Sequence, residues 1–215
     1  MHFSLLKRIS LLNDFERMDI VMNTTKPVSN TRVITGPKCR FSYCHIWEPQ
    51  SINGGDPRYS LCVLIPKTDK ETVTKIRAAM EAAYKDGESK LKGKGALPPM
   101  NAIKLPLRDG DLERPDDPAY AGCFFLNANS DRAPGIVDGH AQPILDRSEV
   151  YSGCYGRVSL SFFAFNTNGN RGIAVGLNNV QKCSDGEPLG GHMSAEAEFA
   201  GLEVDEDDED EDFLS

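Results

Sequence analysis

The sequence predicts a mainly β domain with one amphipathic helix and long loops. Three observations carry that prediction. There are 19 glycines and 13 prolines in 215 residues, of which 40% are hydrophobic; several runs alternate apolar and polar residues; and one stretch shows a helical period behind a capping signature. Frequent Gly and Pro divide a chain into short elements and turns, which suits strands better than a helical bundle. No run approaches the roughly eighteen uncharged apolar residues of a membrane span, so no membrane partner is expected.

Residues 1–31 read as an N-terminal extension. Phe3, Leu6, Ile9 and Leu12 recur at helical spacing, but Lys7, Arg8, Asp14 and Glu16 interrupt them and no small-residue cleavage site follows. That pattern fits an amphipathic helix rather than a secretion signal. Translation beginning at Met22, with the preceding residues serving no role, is an equal alternative.

The run CRFSYCHIW (39–47) alternates, placing Phe41, Tyr43, His45 and Trp47 on one face of a strand and Arg40, Ser42, Cys44 and Ile46 on the other. Asn53-Gly54-Gly55-Asp56 is a turn signal, and a second strand runs from Arg58 to Ile65, so the two form a hairpin. Pro66 stops it. Thr68-Asp69-Lys70-Glu71 matches a capping box, and Val73, Ile76, Met80, Ala83 and Tyr84 then form one apolar stripe of a helix ending near Lys85. Residues 85–118 show no sustained period and read as a long loop, a kind of segment that is often functional. Strands follow at Cys123–Asn129 and Val150–Phe165. In the second of these Val158, Leu160, Phe162 and Ala164 face one way, and Ser159, Ser161, Phe163 and Phe165 the other. A turn at Asn166–Asn170 leads to a last strand from Gly172 to Val180.

Six cysteines (Cys39, Cys44, Cys62, Cys123, Cys154, Cys183) show neither a C-x-x-C pair nor a histidine at zinc-finger spacing. They read as reduced, half-buried residues of a cytosolic protein. No metal and no cofactor is expected.

The formal net charge of -8 argues against a polyanion partner until the charges are located. Eleven of the 32 acids lie in the last twenty residues and no Lys or Arg follows Lys182, so residues 1–195 carry +3. A mildly basic body with a poly-acidic tail points toward nucleic acid or membrane partners, and the second lacks a membrane span. Sequence-tolerant binding of a single strand needs cations along the phosphate path and flat side chains on which bases stack. The stacking candidates are Tyr43, Trp47, Tyr59, Tyr155, Phe163 and Phe165; the phosphate candidates are Arg40, Arg58, Lys90, Lys92, Lys94, Arg132, Arg157 and Arg171. Core burial competes for each aromatic, and a solvated surface role for each cation. The tail, with nine acids among residues 203–212, mimics a polynucleotide and can occupy its own protein's groove until DNA displaces it. A plain solubilising role is the alternative.

Two other functional classes compete. Asp109, Asp111, Glu113, Asp116 and Asp117 resemble the acid supply of a metal-dependent nuclease, although ion pairs to Arg108 and Arg114 explain them more simply. A DNA mimic or virion structural protein would use the acidic end alone. No nucleophile motif supports catalysis.

The runs RFSYCHIWEPQSINGGDPRYSLCVLIPK, LPLRDGDLERPDDPAYAGCFFLNANSDRAPGIVD and EVYSGCYGRVSLSFFAFNTNGNRGIAVGLNNVQK resemble the bacteriophage single-stranded DNA-binding family once known as a domain of unknown function. The similarity spans about residues 32–195, taken as the binding domain, with 196–215 as a disordered tail. It implies an OB fold, a five-stranded Greek-key barrel. It also implies a non-enzymatic role coating single-stranded DNA in phage replication, recombination and repair, in the cytoplasm of the infected bacterium. By the same resemblance the tail recruits replication proteins, through Asp207, Asp208, Glu209, Asp210, Glu211, Asp212 and the near-terminal aromatic Phe213. A homodimer is left open.

Overall fold

The computed structural model describes residues 30–51 and 54–190. The expected extension up to residue 29, Asn53 of the first turn and the acidic tail lie outside the described residues. A strand not foreseen, β1 (Arg32–Ile34), comes first; the expected runs become β2 (Cys39–Gln50), β3 (Arg58–Pro66), β5 (Cys123–Ser130), β7 (Tyr155–Thr167) and β8 (Asn170–Ser184), with short β4 (Arg108–Asp109) and β6 (Gly135–Val137) between them. The helices are α1 (Lys70–Asp86), α2 (Glu88–Lys92) and α3 (Gly110–Glu113).

Five strands close into a ring. β2 pairs with β3, β3 with β5, β5 with β8, β8 with β7, and β7 again with β2. Every contact in the ring is antiparallel except β5 to β8, which is parallel and rests on the single pair Asn129 and Gly176. This connectivity is consistent with the expected five-stranded Greek-key barrel. β1 extends the sheet beside β7, β6 lies parallel to β8, and β4 pairs with β5.

The interior is filled from every strand of the ring: Phe41 and Ile46 of β2, Leu61 and Val63 of β3, Leu126 and Ala128 of β5, Val158, Leu160 and Phe162 of β7, and Ile173, Val175 and Leu177 of β8. α1 lays Val73, Ile76, Met80 and Ala83 on this core, joined by Thr72 and Ala79. Each fully buried aliphatic or aromatic side chain contributes about 1.5–3 kcal/mol, which is why the stripe, rather than intrinsic propensity, holds the helix in place.

Several expectations are corrected. Tyr43, like His45, does not share a face with the buried Phe41. It sits at φ 46°, and between Ser42 and His45 the register with β3 advances three residues on β2 against two on β3. The extra residue is a β-bulge. It reverses the alternation, so that Phe41 and Ile46, five residues apart, both reach the core. The cap of α1 is Asp69, not Thr68: its carboxylate accepts from the Thr72 amide at 3.0 Å, while Glu71 pairs with Lys75. The stretch 85–118 is not one loop, since it holds α2, α3, β4 and a 3-10 turn at Met100–Ala102. β8 runs beyond the expected strand at both ends.

The unbroken apolar run of β3 also finds its reason. Leu61, Val63 and Ile65 point inward, whereas Cys62 and Leu64 point outward under a second cluster with Tyr120 and Phe125. The Tyr120 and Phe125 rings meet edge to face, 5.0 Å apart at 89°. Both faces of β3 are covered along this half, so alternation is lost there.

Candidate nucleic-acid interface

Beyond that second cluster the outer barrel surface turns polar. Register places Ser42 beside Cys62 and Asn127, and His45 beside Ser60 and Asn129, across β2, β3 and β5. Asn127 and Asn129 are exposed on this surface. At its border the bulge holds Tyr43 out of the barrel with 55% of its surface exposed. Arg58 opens β3 as it leaves the β2–β3 loop, in an exposed ion pair with Asp131 at 3.3 Å. Arg132 is exposed just after β5, and Tyr59 is half-buried with the parity of the inward residues. Tyr43, Arg58 and Arg132 therefore border one surface, with Tyr59 at its rim.

A second group gathers at the far end of the β7–β8 hairpin. Asn168 and Gly169 both have positive φ, 51° and 85°, the conformation of a tight two-residue turn. The expected alternation of β7 holds here: Phe163 is 48% exposed, and Phe165 is half-buried beside Gly172. The Asn166 amide donates to the Lys90 carbonyl at 2.9 Å, which ties α2 to the hairpin. Lys90, Lys92 and Lys94, all exposed, and half-buried Arg171 thus come to one end of the barrel.

The other four candidates have internal partners. Arg40 donates to the carbonyls of Gly153 at 3.1 Å and Glu187 at 2.6 Å while lying over the Tyr155 ring. Arg157 donates to the Gln181 side chain at 3.0 Å. The Trp47 indole donates to the Val150 carbonyl at 3.1 Å and packs against the core. These contacts fasten loop and strand backbone, so Arg40, Tyr155, Arg157 and Trp47 are not brought into either group.

Four of the five acids at 109–117, all but Asp116, are tied to cations or amides. Lys67 binds Asp109 at 2.5 Å and Asp111 at 2.8 Å, and Asp111 also accepts from the Gly122 amide. Lys67 first and that amide second hold the Asp111 carboxyl below its ordinary range. Glu113 binds Arg108, as expected, but Arg114 lies over the Tyr120 ring instead of on a carboxylate. Asp117 caps the 3-10 turn at Pro118–Tyr120. Among the described residues no cluster of His, Cys, Asp or Glu is arranged to hold a metal ion. Burial pushes the Cys39 and Cys44 thiols up to about 12 and raises Cys62, Cys123 and Cys154 as well, which makes them poor nucleophiles.

Four residues lie beside these groups without having been sequence candidates: His45, Asn127 and Asn129 on the strand surface, and Lys104, whose backbone pairs with Gly172 of β8. Asparagine is depleted in strands, so the exposed pair in CFFLNANS carried a readable signal. Lys104 carried none, because its neighbour β8 is distant in sequence.

A family model described as the Enterobacter phage Enc34 single-stranded DNA-binding protein matches residues 31–214. Protein p50 of Acyrthosiphon pisum secondary endosymbiont phage 1 is 30% identical over 178 residues, covering 79% of this chain and 94% of that protein. The structure of the bacteriophage Enc34 single-stranded DNA-binding protein in complex with single-stranded DNA is similar at a TM-score of 0.62 and 25% identity, over 77% of this chain and 97% of that one. The gp2.5 single-stranded DNA-binding protein of bacteriophage T7 shares the fold at a TM-score of 0.50 and 17% identity, over 82% of this chain and 96% of that one.

Proposed function

The chain belongs to the family of the phage Enc34 single-stranded DNA-binding protein, and from that premise we propose that it binds single-stranded DNA with little sequence preference and without catalysing a reaction. The observation that supports this reading in the chain itself is the pair of rings held out from the barrel, Tyr43 and Phe163, each accompanied by cations. In a five-stranded barrel of this kind, the second and third strands and the loops after the first and fourth form the usual oligonucleotide face. Here those are β3 and β5, the segment 51–57 and the Asn168–Gly169 turn. Arg58, Arg132, Tyr43 and Tyr59 border the strand face; Phe163, Phe165, Arg171 and the Lys90, Lys92 and Lys94 group lie toward the turn. The biological setting is phage DNA replication, recombination and repair in the host cytoplasm, with the tail recruiting replication proteins.

Anisotropy of a labelled oligo-dT tests the reading. Affinity should fall steeply as salt rises, because each phosphate contact releases counterions; salt-independent binding, or none, would refute it. A chain lacking residues 203–215 should bind more tightly at low salt if the tail competes for the groove. Equal affinities would leave the tail as a solubilising or recruiting segment. An intact oligonucleotide after incubation with Mg²⁺ separates this reading from a nuclease.

A further inference from the structure

We propose that the β7–β8 turn and the 3-10 turn at Met100–Ala102 enclose a subsite for one phosphodiester of the bound strand, gripped by Lys104 and Arg171. The proposal rests on the DNA-binding reading and adds to it a ligand group and two named side chains. The site is a cavity of about 490 Å³ lined in part by Pro98, Asn101, Lys104, Gly169, Asn170 and Arg171. Its described lining contains two cations and two carboxamides and no carboxylate. Elsewhere in the fold the arginines Arg58, Arg108 and Arg147 sit on acids. Arg171 does not, and its Nε is buried with no hydrogen-bond partner. A buried donor without a partner is uncommon; Nε is sealed from the cavity, whereas the terminal guanidinium nitrogens, neither buried nor bonded among the described residues, are what an oxyanion there can reach.

The backbone shows that the placement is built. The Lys104 amide donates to the Arg171 carbonyl at 3.0 Å, and the Lys104 carbonyl accepts from the Ile173 amide at 2.9 Å. Lys104 thereby pairs with Gly172 at the margin of β8. Only glycine fits at 172, since a Cβ there would come within 2.5 Å of the Lys104 carbonyl oxygen and 2.8 Å of the Phe165 ring. The same glycine brings Phe165 and Lys104 together, so a base can stack on the ring while its phosphate enters the cavity. Two cations with neutral donors suit a phosphodiester. The carboxylates of the chain's own tail share that chemistry and form the second arm of the test.

Full-length wild type and the variants Lys104→Gln, Arg171→Gln and Lys70→Gln are titrated with labelled oligo-dT at several salt concentrations. Lys70 is exposed at the start of α1, remote from the hairpin, and serves as control. The expected result is a salt slope shallower by about 0.7 for each of the first two variants and unchanged for the third. If Arg171→Gln lowers the melting temperature, exposed Lys104 decides. A binding wild type whose Lys104→Gln slope matches that of Lys70→Gln overturns the subsite but leaves the DNA-binding reading standing. A wild type that does not bind refutes the reading itself. In the second arm a peptide of residues 203–215 is added as competitor. If Lys104→Gln loses response to the peptide while its DNA slope is unchanged, the cavity belongs to the tail and the phosphodiester proposal fails.

Discussion

Tyr43 is an aromatic residue in the left-handed region, with its ring largely in solvent. Both features oppose stability, since a non-glycine residue there costs about 1–2 kcal/mol and the ring gains nothing from the core. Strain of this kind gathers where a side chain must be aimed, and a bulge is a device for aiming one. Tyr43→Gly should therefore raise the melting temperature or leave it unchanged, while oligo-dT affinity falls roughly 5- to 150-fold, the equivalent of one lost base stack at about 1–3 kcal/mol. Calorimetry and anisotropy on the same variant check this; a less stable protein with unaltered affinity would show the bulge to be purely architectural. Phe163 was legible in the sequence because β7 alternates without interruption across it. Tyr43 is exposed, but its expected companions were wrong, because nothing in CRFSYCHIW reveals where a single extra residue is inserted.

The elements whose order came from local chemistry were readable at a distance. The hairpin turn at Asn168–Gly169, the inward parity of β7 and the stripe of α1 each follow from patterns within a few residues. The cap of α1 was misplaced by one because Thr68 and Asp69 are both competent cap residues and only the backbone path chooses between them. With Asp69 holding the Thr72 amide, Asp69→Ala should cost about 1 kcal/mol, read as a lower urea midpoint with an unchanged slope, whereas Thr68→Ala should be near neutral. The reverse ranking would restore the cap to Thr68. The insert between α1 and β5 was not readable. Its elements are short, its charges pair with Lys67 at the end of β3, and Tyr120 covers strand residues more than fifty positions away, so no local period records its path.

For the whole molecule, the separation between a +3 body and an acidic tail was visible in the residues themselves, whereas the ring was expected only through the family resemblance, because closure depends on a parallel contact between β5 and β8 that no hairpin signal announces. The core also sets an alkaline limit. Five of the six thiols have raised pKa values, Cys39 and Cys44 to about 12, against roughly 8.5 in an unfolded chain. The neutral thiol is thus the form favoured by folding. Its stabilising effect is complete below about pH 8.5 and is lost as pH climbs toward 12. Urea unfolding at pH 8 and pH 10 should show lower stability at the higher pH. Equal midpoints would mean that the thiols ionise freely in the fold.

The single pair that joins β5 to β8 leaves little of that junction to the two strands themselves, and the backbone of Lys104 bonds to β8 a few residues along it. Unpaired strand edges are templates on which other chains assemble. The segment before β4 thus acts as a guard against self-association: shortening it would uncover backbone donors and acceptors of β8, and the first consequence would be sticking between copies in a crowded cell rather than loss of the barrel.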